Sequence, residues 1–341
     1  MQSSDLRRGR IALSRGDRAR ILFFGSPANQ PDQIETLQAY EEVEAVVTGS
    51  LMHAAETGET EFPVTGDWVM ARVVADDLAL IEQVLPRTSQ IARRAAGGGV
   101  HSQVLAANVD VAFLVMGLDG DYNPRRIERY LAIVREGEAT PIVLLNKADL
   151  AGNAAEIQYS LAQRLRVPVH TISARDGAGL DLVKQALEPG TTAVLLGSSG
   201  AGKSTLTNAL LGREKQTTQQ VRAGDSRGRH TTTERELIQL PSGAWLIDTP
   251  GLREIQLLVS EASIEKVFDD IAELARDCQF RDCTHIAEPG CAVRDAIDPD
   301  RLESFHKLNR DAVRVEQGAD TKQRWRAIHK EMRRFYKNRA R

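Results

Sequence analysis

The chain has 341 residues, a formal net charge of −3, and 42% hydrophobic and 27% charged residues. This length suits two or three domains, and the overall charge gives no argument for a nucleic-acid partner. The first ten residues are polar and basic, and no apolar run approaches the roughly 18 residues of a membrane span, so we expect a cytoplasmic protein with no membrane partner.

The N-terminal part of the chain, between about Arg20 and Leu85, has short β-rich pieces separated by Gly, Pro, Asp and Thr clusters. The candidate strands are 21–24, 43–47, 68–74 and 78–84. This spacing predicts a small β-barrel or sandwich. The Arg- and Gly-rich segment 93–99 has no periodicity and reads as a linker, which places a domain boundary near residue 100.

From Val109 onward, apolar strands alternate with amphipathic helices. The strand candidates are 109–116, 141–145, 167–172, 192–196 and 244–247, and the helix candidates are 124–135, 180–187 and 203–211. This alternation predicts a largely parallel, doubly wound α/β sheet. After about Glu261 the chain becomes helical and charged.

A phosphate-binding sequence lies between the strand that ends at Leu196 and the helix that begins near Lys203. It has the form G-x-x-x-x-G-K-S, with residues Gly197, Ser198, Ser199, Gly200, Ala201, Gly202, Lys203 and Ser204, followed by Thr205. Glycines let backbone N–H groups surround phosphate oxygens at a helix N-terminus. Lys203 would reach the β- and γ-phosphates, and the Ser204 hydroxyl would ligate Mg²⁺.

Asp248-Thr249-Pro250-Gly251 follows the apolar run 245–247, at the end of a strand where ligands bind in open α/β sheets. Asp248 would hold Mg²⁺ through water, and the Gly251 N–H would contact the γ-phosphate. Taken alone, this sequence also fits an ordinary turn.

Guanine recognition is indicated by Asn146-Lys147-Ala148-Asp149, directly after an apolar strand. The Asp149 carboxylate can accept two hydrogen bonds from guanine, a pattern that adenine does not offer. Ser173-Ala174, at the end of another strand, would supply a backbone N–H to guanine O6. Together these residues predict binding of GTP and GDP rather than of adenine nucleotides.

All three cysteines of the chain fall in one short segment, a distribution that suits a metal site better than a disulfide framework. The spacing Cys278-x₄-Cys283-x-His285-x₅-Cys291 supplies three thiolates and one imidazole, a complete tetrahedral set for a structural Zn²⁺. No position is left for a catalytic water. The alternative interpretation is that the three cysteines are small buried thiols and the histidine is an ordinary surface residue.

The segment from Thr321 to Arg341 has nine Lys or Arg residues against one acid, Glu331, and includes Trp325, Phe335 and Tyr336. Cations mixed with aromatic rings can neutralise phosphates and stack on bases, although a basic helix end is also common as a solvated face.

The nucleotide motifs resemble those of translation-factor-related GTPases, but here Asn-Lys-x-Asp and Ser-Ala precede the phosphate loop instead of following it. With this order, the Gly228-Arg229-His230-Thr231-Thr232-Thr233 run and the cysteine cluster, the chain from about residue 40 resembles the RsgA (YjeQ) family of circularly permuted GTPases. That resemblance implies an OB-fold-like RNA-binding domain (1–95), a permuted α/β P-loop GTPase domain (100–260) and a mainly helical zinc-binding domain (261–341).

The resemblance also implies a role in late maturation of the small ribosomal subunit, with the subunit and its ribosomal RNA as partners and GTP hydrolysis that the subunit stimulates. Because Leu252 cannot orient water, we expect intrinsic hydrolysis to be slow. We expect a monomer. By analogy Thr232, or alternatively Thr231, ligates Mg²⁺ and the γ-phosphate, and Lys203 is a catalytic residue.

Two features of the switch sequences leave the catalytic step open. His230 is a candidate catalytic residue or a structural histidine. Leu252 stands where many GTPases have a water-orienting glutamine. Gly200 replaces the asparagine of potassium-activated relatives, so potassium dependence does not follow from the analogy.

Two other functions fit parts of the sequence. A GTP-driven metallochaperone would use the Cys/His cluster as a transfer site, against which a closed four-ligand set argues. A non-enzymatic GTP sensor would follow from Leu252, and phosphate release measured with and without ribosomes separates it from a hydrolase.

Overall fold

The computed structural model describes residues 6–24, 40–94, 102–212, 235–248 and 259–314. The chain divides into two compact units, one formed by residues 1–91 and 104–254 and the other by residues 92–103 and 255–341. In the part of the chain that is described, no helix has the length and apolar character needed to cross a membrane.

The first unit begins with a five-stranded barrel. Its elements are β1 (Leu6–Arg15), β2 (Arg18–Phe24), β3 (Tyr40–Val47), α1 (Gly49–Thr57), β4 (Trp68–Ala75) and β5 (Leu78–Val84). The strand order is β1-β2-β3-β5-β4, and pairing of β4 with β1 closes the barrel. The β3–β5 pair is parallel and the other pairs are antiparallel. This topology confirms the predicted barrel and excludes the sandwich.

Strand β1 lies outside the strands that the sequence predicts. Its apolar run, 11–13, is short and follows three arginines. Two of these cations lie on aromatic rings, Arg7 over Phe23 at 4.4 Å and Arg8 over Trp68 at 4.2 Å, where stem packing and cation–π attraction let charged residues occupy a strand. The barrel therefore starts at Leu6 rather than near Arg20.

Beyond the barrel, a two-stranded sheet of β6 (Gln90–Arg94) and β7 (Ser102–Ala107) leads into the α/β part. Arg93 and Arg94, read from the sequence as linker, belong to β6, and the Arg93 guanidinium donates to Gln103 Oε1 over 3.1 Å. The remainder of the predicted linker lies outside the described residues.

The α/β part has a six-stranded sheet. Its elements are β8 (Val111–Gly117), α2 (Pro124–Glu136), β9 (Thr140–Asn146), a 3-10 turn (Ala148–Leu150), α3 (Ala154–Leu165), β10 (Val169–Thr171), α4 (Leu180–Gln185), β11 (Thr192–Leu196), α5 (Lys203–Leu211), β12 (Glu236–Gln239) and β13 (Trp245–Asp248). The strand order is β10-β9-β8-β11-β13-β12. The first five strands are parallel and β12 is antiparallel, which confirms the largely parallel sheet.

Strand β11 lies in the middle of this sheet, between β8 and β13. Side chains alternate between the faces of a strand, so Phe113 and Val115 of β8 point to one face, where they join a core with Leu206 and Leu210 of α5. Because parallel strands end at the same edge, the loops after β8, β9, β10, β11 and β13 meet at one edge of the sheet.

A buried polar seam joins the barrel to the α/β sheet within the first unit. The Arg10 guanidinium of β1 donates to Thr192 Oγ1 over 2.7 Å and to the Asn108 carbonyl over 3.3 Å. Leu13 of β1 pairs with Glu236 of β12, and Arg20 of β2 makes an ion pair with Glu236 at 3.0 Å. Burial lowers the pKa of Arg10 to about 10, which leaves it a cation at neutral pH.

The second unit is mainly helical. It contains α6 (Glu261–Val267), α7 (Asp269–Ala275), α8 (Ala292–Ala296) and a helix α9 over residues 299–314, with the cysteine segment between α7 and α8. Arg301 of α9 binds both carboxylate oxygens of Asp270, at 2.6 and 2.7 Å, and lies over the Phe268 ring. The basic C-terminal segment of the sequence prediction lies outside the described residues.

Candidate nucleotide site and metal centre

The phosphate loop, residues 197–204, connects β11 to α5 at the edge of the sheet where the parallel strands end. The Lys203 ammonium turns back over the loop and donates to the carbonyls of Gly197 and Ser198 at 2.8 and 2.7 Å. Ser204 and Thr205 lie in the first turn of α5. This strand–loop–helix geometry presents backbone N–H groups and a helix N-terminus to an anion, as a phosphate site requires.

Gly202 is required at its position by two features of the backbone. Its φ is 93°, in the left-handed region, and a Cβ atom there would come within 2.1 Å of Asn146 Nδ2. A side chain at residue 202 would push the phosphate loop away from the strand that carries the guanine motif.

Asn146 joins three segments that are far apart in the chain. Its side-chain amide is buried, donates from Nδ2 to the Ala201 carbonyl at 2.8 Å and accepts at Oδ1 from the Ala174 N–H at 2.9 Å. The guanine loop (146–149), the phosphate loop and the Ser173–Ala174 segment therefore meet at one side chain.

The guanine loop turns sharply after β9. Lys147 has a left-handed φ of 63°, Ala148 N–H donates to the Ile172 carbonyl at 3.1 Å, and Asp149 lies exposed in the 3-10 turn that follows. An exposed carboxylate at this edge of the sheet can accept hydrogen bonds from a ligand without losing partners inside the protein.

The Ser173–Ala174 segment is ordered by its own turn. Ser173 Oγ donates to Asp176 Oδ2 at 2.9 Å, and both Ser173 and Ala174 are buried. The sequence predicts that a backbone N–H of this segment binds guanine O6, and the Ala174 N–H donates to Asn146 in this structure. A guanine at this position would have to share that N–H with Asn146.

Asp248 is the last residue of β13, beside the phosphate-loop strand β11, and lies directly opposite Glu236 of β12. It is half-buried at the same edge of the sheet as Lys203. The remaining predicted γ-phosphate and switch residues, which are His230, Thr231, Thr232, Gly251 and Leu252, lie outside the described residues.

Two carboxylates of the site were missed by the sequence prediction. Asp119 and Asp121 lie in the loop between β8 and α2, where Asp119 contacts Lys147 of the guanine loop and Asp121 contacts Ser198 of the phosphate loop. The sequence offered a signal for both, since they lie in the short loop after an apolar strand of the parallel sheet.

The four residues that the sequence predicts as metal ligands lie together in the second unit. One ligand atom from each of Cys278, Cys283, His285 and Cys291 lies within 4.8 Å of all the others. The two sulfur-to-Nδ1 distances of His285 are 3.6 Å, to Cys278, and 3.5 Å, to Cys291. The group could hold a metal ion through three sulfurs and one nitrogen.

The fold shifts the pKa values of the two half-buried thiols in opposite directions. Burial raises the pKa of Cys278, but hydrogen bonds from the N–H groups of Val293 and Ala292, together with those to the other two cysteines, lower it overall and favour the thiolate. Burial and the neighbouring thiols raise the pKa of Cys283 to about 11. Burial lowers the pKa of His285, so its imidazole is held neutral, the form that ligates metals.

Glu288 organises the turn that carries His285. Its carboxylate accepts from the Thr284 N–H at 2.9 Å and from the N–H groups of Ile286 and Ala287 at 3.1 Å, and it also contacts the Thr284 hydroxyl. His285 has a left-handed φ of 61° inside this turn. These donors hold the pKa of Glu288 well below its usual range.

Known proteins resemble this chain over most of its length. A model of the RsgA GTPase family matches residues 84–258. The small ribosomal subunit biogenesis GTPase RsgA of Opitutus terrae is 46% identical over 86% of this chain and 86% of its own length. RsgA of Xanthomonas oryzae pv. oryzae is 51% identical over 75% of this chain and 70% of its own length.

Two solved structures have a similar fold. YjeQ from Thermotoga maritima matches with a TM-score of 0.64 at 22% identity, covering 90% of this chain and 99% of that one. YloQ, described as a circularly permuted GTPase, matches with a TM-score of 0.60 at 20% identity, covering 90% of this chain and 95% of that one. The permuted order of strands and motifs is thus a property of a known fold.

Proposed function

This chain belongs to the RsgA GTPase family, and from that membership we propose that it hydrolyses GTP in the biogenesis of the small ribosomal subunit. The observation that carries the nucleotide site is the Asn146 side chain, because it joins the guanine loop, the phosphate loop and the Ser173–Ala174 segment by two buried hydrogen bonds. Through these bonds the three segments are held together at the edge of the sheet where ligands bind in open α/β folds.

Different residues of the described part of the chain would bind the phosphates, the Mg²⁺ ion and the base of GTP. The phosphate loop and the start of α5 would surround the phosphates, with Lys203 reaching the β- and γ-phosphates. Ser204 and Asp248 would hold Mg²⁺, which neutralises charge on the phosphates when bound. Asp149 would select guanine, since its exposed carboxylate can accept from two donors of the base.

Three residues outside the described part of the chain complete the proposed site. Thr232 would add a Mg²⁺ ligand, Gly251 would contact the γ-phosphate, and His230 is our candidate for positioning the attacking water. With Leu252 unable to orient water, hydrolysis by the isolated protein should be slow. Docking on the small subunit would then supply or align the missing group, which in well-understood GTPases contributes about 10³–10⁵ in rate.

We assign Zn²⁺ to the Cys₃His centre. A tetrahedral Zn²⁺ about 2.3 Å from sulfur and about 2.05 Å from nitrogen would place these atoms about 3.6 Å apart, close to the 3.5 and 3.6 Å distances from His285 to the two cysteines. All four positions are filled by protein, so the ion would stabilise the fold of the second unit and take no part in hydrolysis.

The same proposal gives each module a role. The barrel (within 1–95), which precedes the GTPase domain (100–260) in the sequence, and the basic end of the chain (within 261–341), which follows it, would bind ribosomal RNA. The protein would act as a cytoplasmic monomer. Its partners are GTP or GDP and the small subunit.

Phosphate release with isolated small or large ribosomal subunits tests this function. We expect slow release alone and a large stimulation by small subunits, which Ser204→Ala abolishes and His230→Ala reduces while retaining GTP binding. Cosedimentation with small subunits should be stronger with a non-hydrolysable GTP analogue than with GDP. A fast rate without ribosomes, or stimulation by large subunits only, would contradict the proposal, and no hydrolysis under any condition would favour the GTP sensor.

A further inference from the structure

The loop between β8 and α2, residues 117–123, contacts both ends of the candidate nucleotide site. At one end, Leu118 N–H donates to the Asn146 carbonyl at 2.9 Å, and Asp119 makes an ion pair with Lys147. At the other end, Asp121 accepts from the Ser198 hydroxyl. Two carboxylates, two positions apart, therefore reach the guanine loop and the phosphate loop respectively.

The loop is itself anchored to α2. Arg126 Nη1 donates to Asp121 Oδ1 at 2.6 Å, and the Asn123 side chain caps the helix by accepting from the Arg126 N–H at 3.1 Å. Asp121 thus has one oxygen on a cation of α2 and the other on the phosphate loop. Asp121 therefore links Ser198 to α2 and holds it at a fixed place relative to that helix.

The opposite side of Ser198 is held as well. Its carbonyl accepts from Lys203 Nζ at 2.7 Å. A bound phosphate would draw Lys203 away from the loop carbonyls, since one ammonium carries only three donors. The contact with Asp121 does not depend on Lys203 and would remain to hold the loop in place.

Asp119 has its own close packing at the guanine end. A Cβ atom on Gly117 would come within 2.5 Å of Asp119 Oδ1, so glycine is needed for the carboxylate to lie against the end of β8. The Lys147 Cδ atom lies 3.6 Å from the same position. The ion pair therefore holds the Lys147 stem beside the strand end, next to the residue that recognises guanine, Asp149.

We propose that Asp119 and Asp121 are positioning residues for GTP, Asp119 acting through Lys147 on the base and Asp121 acting through Ser198 on the phosphates. The loop 117–123 then sets the spacing between the base-binding and phosphate-binding parts of the site, in parallel with the direct link made by Asn146. This inference rests on the proposed GTP function of the site.

The phosphate arm is tested by a double-mutant cycle on GDP affinity, measured calorimetrically for Asp121→Ala, Ser198→Ala and the double variant. Each single change should weaken GDP about tenfold, and the double variant should be no weaker than about tenfold, because the same Asp121–Ser198 hydrogen bond is lost in all three. Asp121→Asn keeps an acceptor oxygen and should retain most of the affinity. A hundredfold loss in the double variant, or an asparagine variant as weak as the alanine one, would overturn this arm.

The base arm is tested by the affinity ratio of GDP to inosine diphosphate, which lacks the exocyclic amino group of guanine. Asp119→Ala and Lys147→Ala should lower this ratio several-fold, whereas Asp121→Ala should weaken both ligands equally. A merely structural role would lower the thermal midpoint without changing the ratio. An unchanged ratio in Asp119→Ala overturns this arm.

Asp181→Ala, which removes an exposed acid of α4 in the same unit, is the matched control and should change neither quantity. GDP binding by the unmodified protein distinguishes a failure of the proposed GTP function from a failure of the positioning role of Asp119 and Asp121. Absence of GDP binding by it would contradict the proposed function, whereas normal binding with unaffected Asp119 and Asp121 variants would contradict only this inference.

Discussion

The side-chain amide of Asn146 donates to the backbone carbonyl of Ala201 across 2.8 Å, although the two residues belong to loops after different strands. The same amide accepts from Ala174, so one buried group links three segments of the proposed nucleotide site. Because Asn146 contacts both other segments, substitutions of Asn146 test directly whether their arrangement matters for nucleotide binding.

Replacement of Asn146 should weaken nucleotide binding strongly. Asn146→Ala removes two hydrogen bonds and leaves a buried carbonyl and a buried N–H without partners, so we expect a loss of about 2–4 kcal/mol in the free energy of unfolding and at least tenfold in GDP affinity. Chemical unfolding and calorimetry measure the two quantities.

Asn146→Asp is the informative comparison, because it can still accept from Ala174 but cannot donate to Ala201. It places an acceptor oxygen against the buried Ala201 carbonyl, so it should bind GDP more weakly than the unmodified protein and be no more stable than Asn146→Ala. Equal GDP affinity in all three proteins would mean that the phosphate loop does not depend on this link.

Asp149→Asn should change which base is bound and leave stability unaltered. The carboxylate is exposed, so its removal breaks no internal contact. Unpaired donors on guanine cost affinity, while xanthine offers an acceptor to the new amide. Competition between GDP and xanthosine diphosphate measures the change, and unmodified protein that binds ADP and GDP equally would contradict the assignment.

Metal removal should unfold the second unit and spare the first. Metal binding and local folding are coupled in small centres, and all four ligands lie in one segment of the second unit. We expect one Zn²⁺ per chain by elemental analysis, and Cys291→Ser or chelation should abolish helical signal from this unit while GDP binding persists. Zinc content far below one per chain in protein purified without chelator would be the contrary result.

Glu288 should control how firmly the metal is held. Since its folded pKa is lowered, its contribution is fully present above the unfolded value, near pH 4.5, and is lost as the pH falls through the folded value. E288Q should release metal to a chelator several-fold faster at pH 7, with the difference disappearing in acid. Glu261→Gln, in α6 of the same unit, is the control and should behave like the unmodified protein.

Arg10 should contribute more to the free energy of unfolding than Arg8, the arginine two positions before it on β1. Arg10→Ala leaves the carbonyls of Gly66 and Asn108 and the Thr192 hydroxyl without their charged donor. We therefore expect the free energy of unfolding to fall by about 2–4 kcal/mol. Arg8→Ala, from an exposed position over Trp68, should cost less than about 1 kcal/mol. Similar losses in the two variants would show that the seam contributes little.

The sequence predicted the central sheet and its ligand loops well because each signal there is local. The run 192–196 followed by the glycine-rich loop determines both β11 and the start of α5, and the observed bounds agree with the predicted ones. The Cys₃His group was likewise predicted by spacing alone, since the ligands lie within fourteen positions.

The elements that were missed depend on contacts between distant residues. Strand β1 is stabilised by rings of β2 and β4, α1 has a weak amphipathic pattern, and β12 gains its position from pairing with both β13 and β1. The position of Asp119 and Asp121 after an apolar strand indicated this edge of the sheet, but their partners, Lys147 and Ser198, are adjacent only once the parallel strands have assembled.

The position of β11 between β8 and β13 imposes an order on folding during synthesis. The barrel and the base-recognising strands leave the ribosome first, but β11 acquires its second neighbour only after residue 248 has been made, and β1 acquires its partner β12 only after residue 236. N-terminal parts of a chain generally fold first during translation. For this protein the centre of the sheet is completed late, so a nascent chain becomes able to hold nucleotide only when most of its length has emerged.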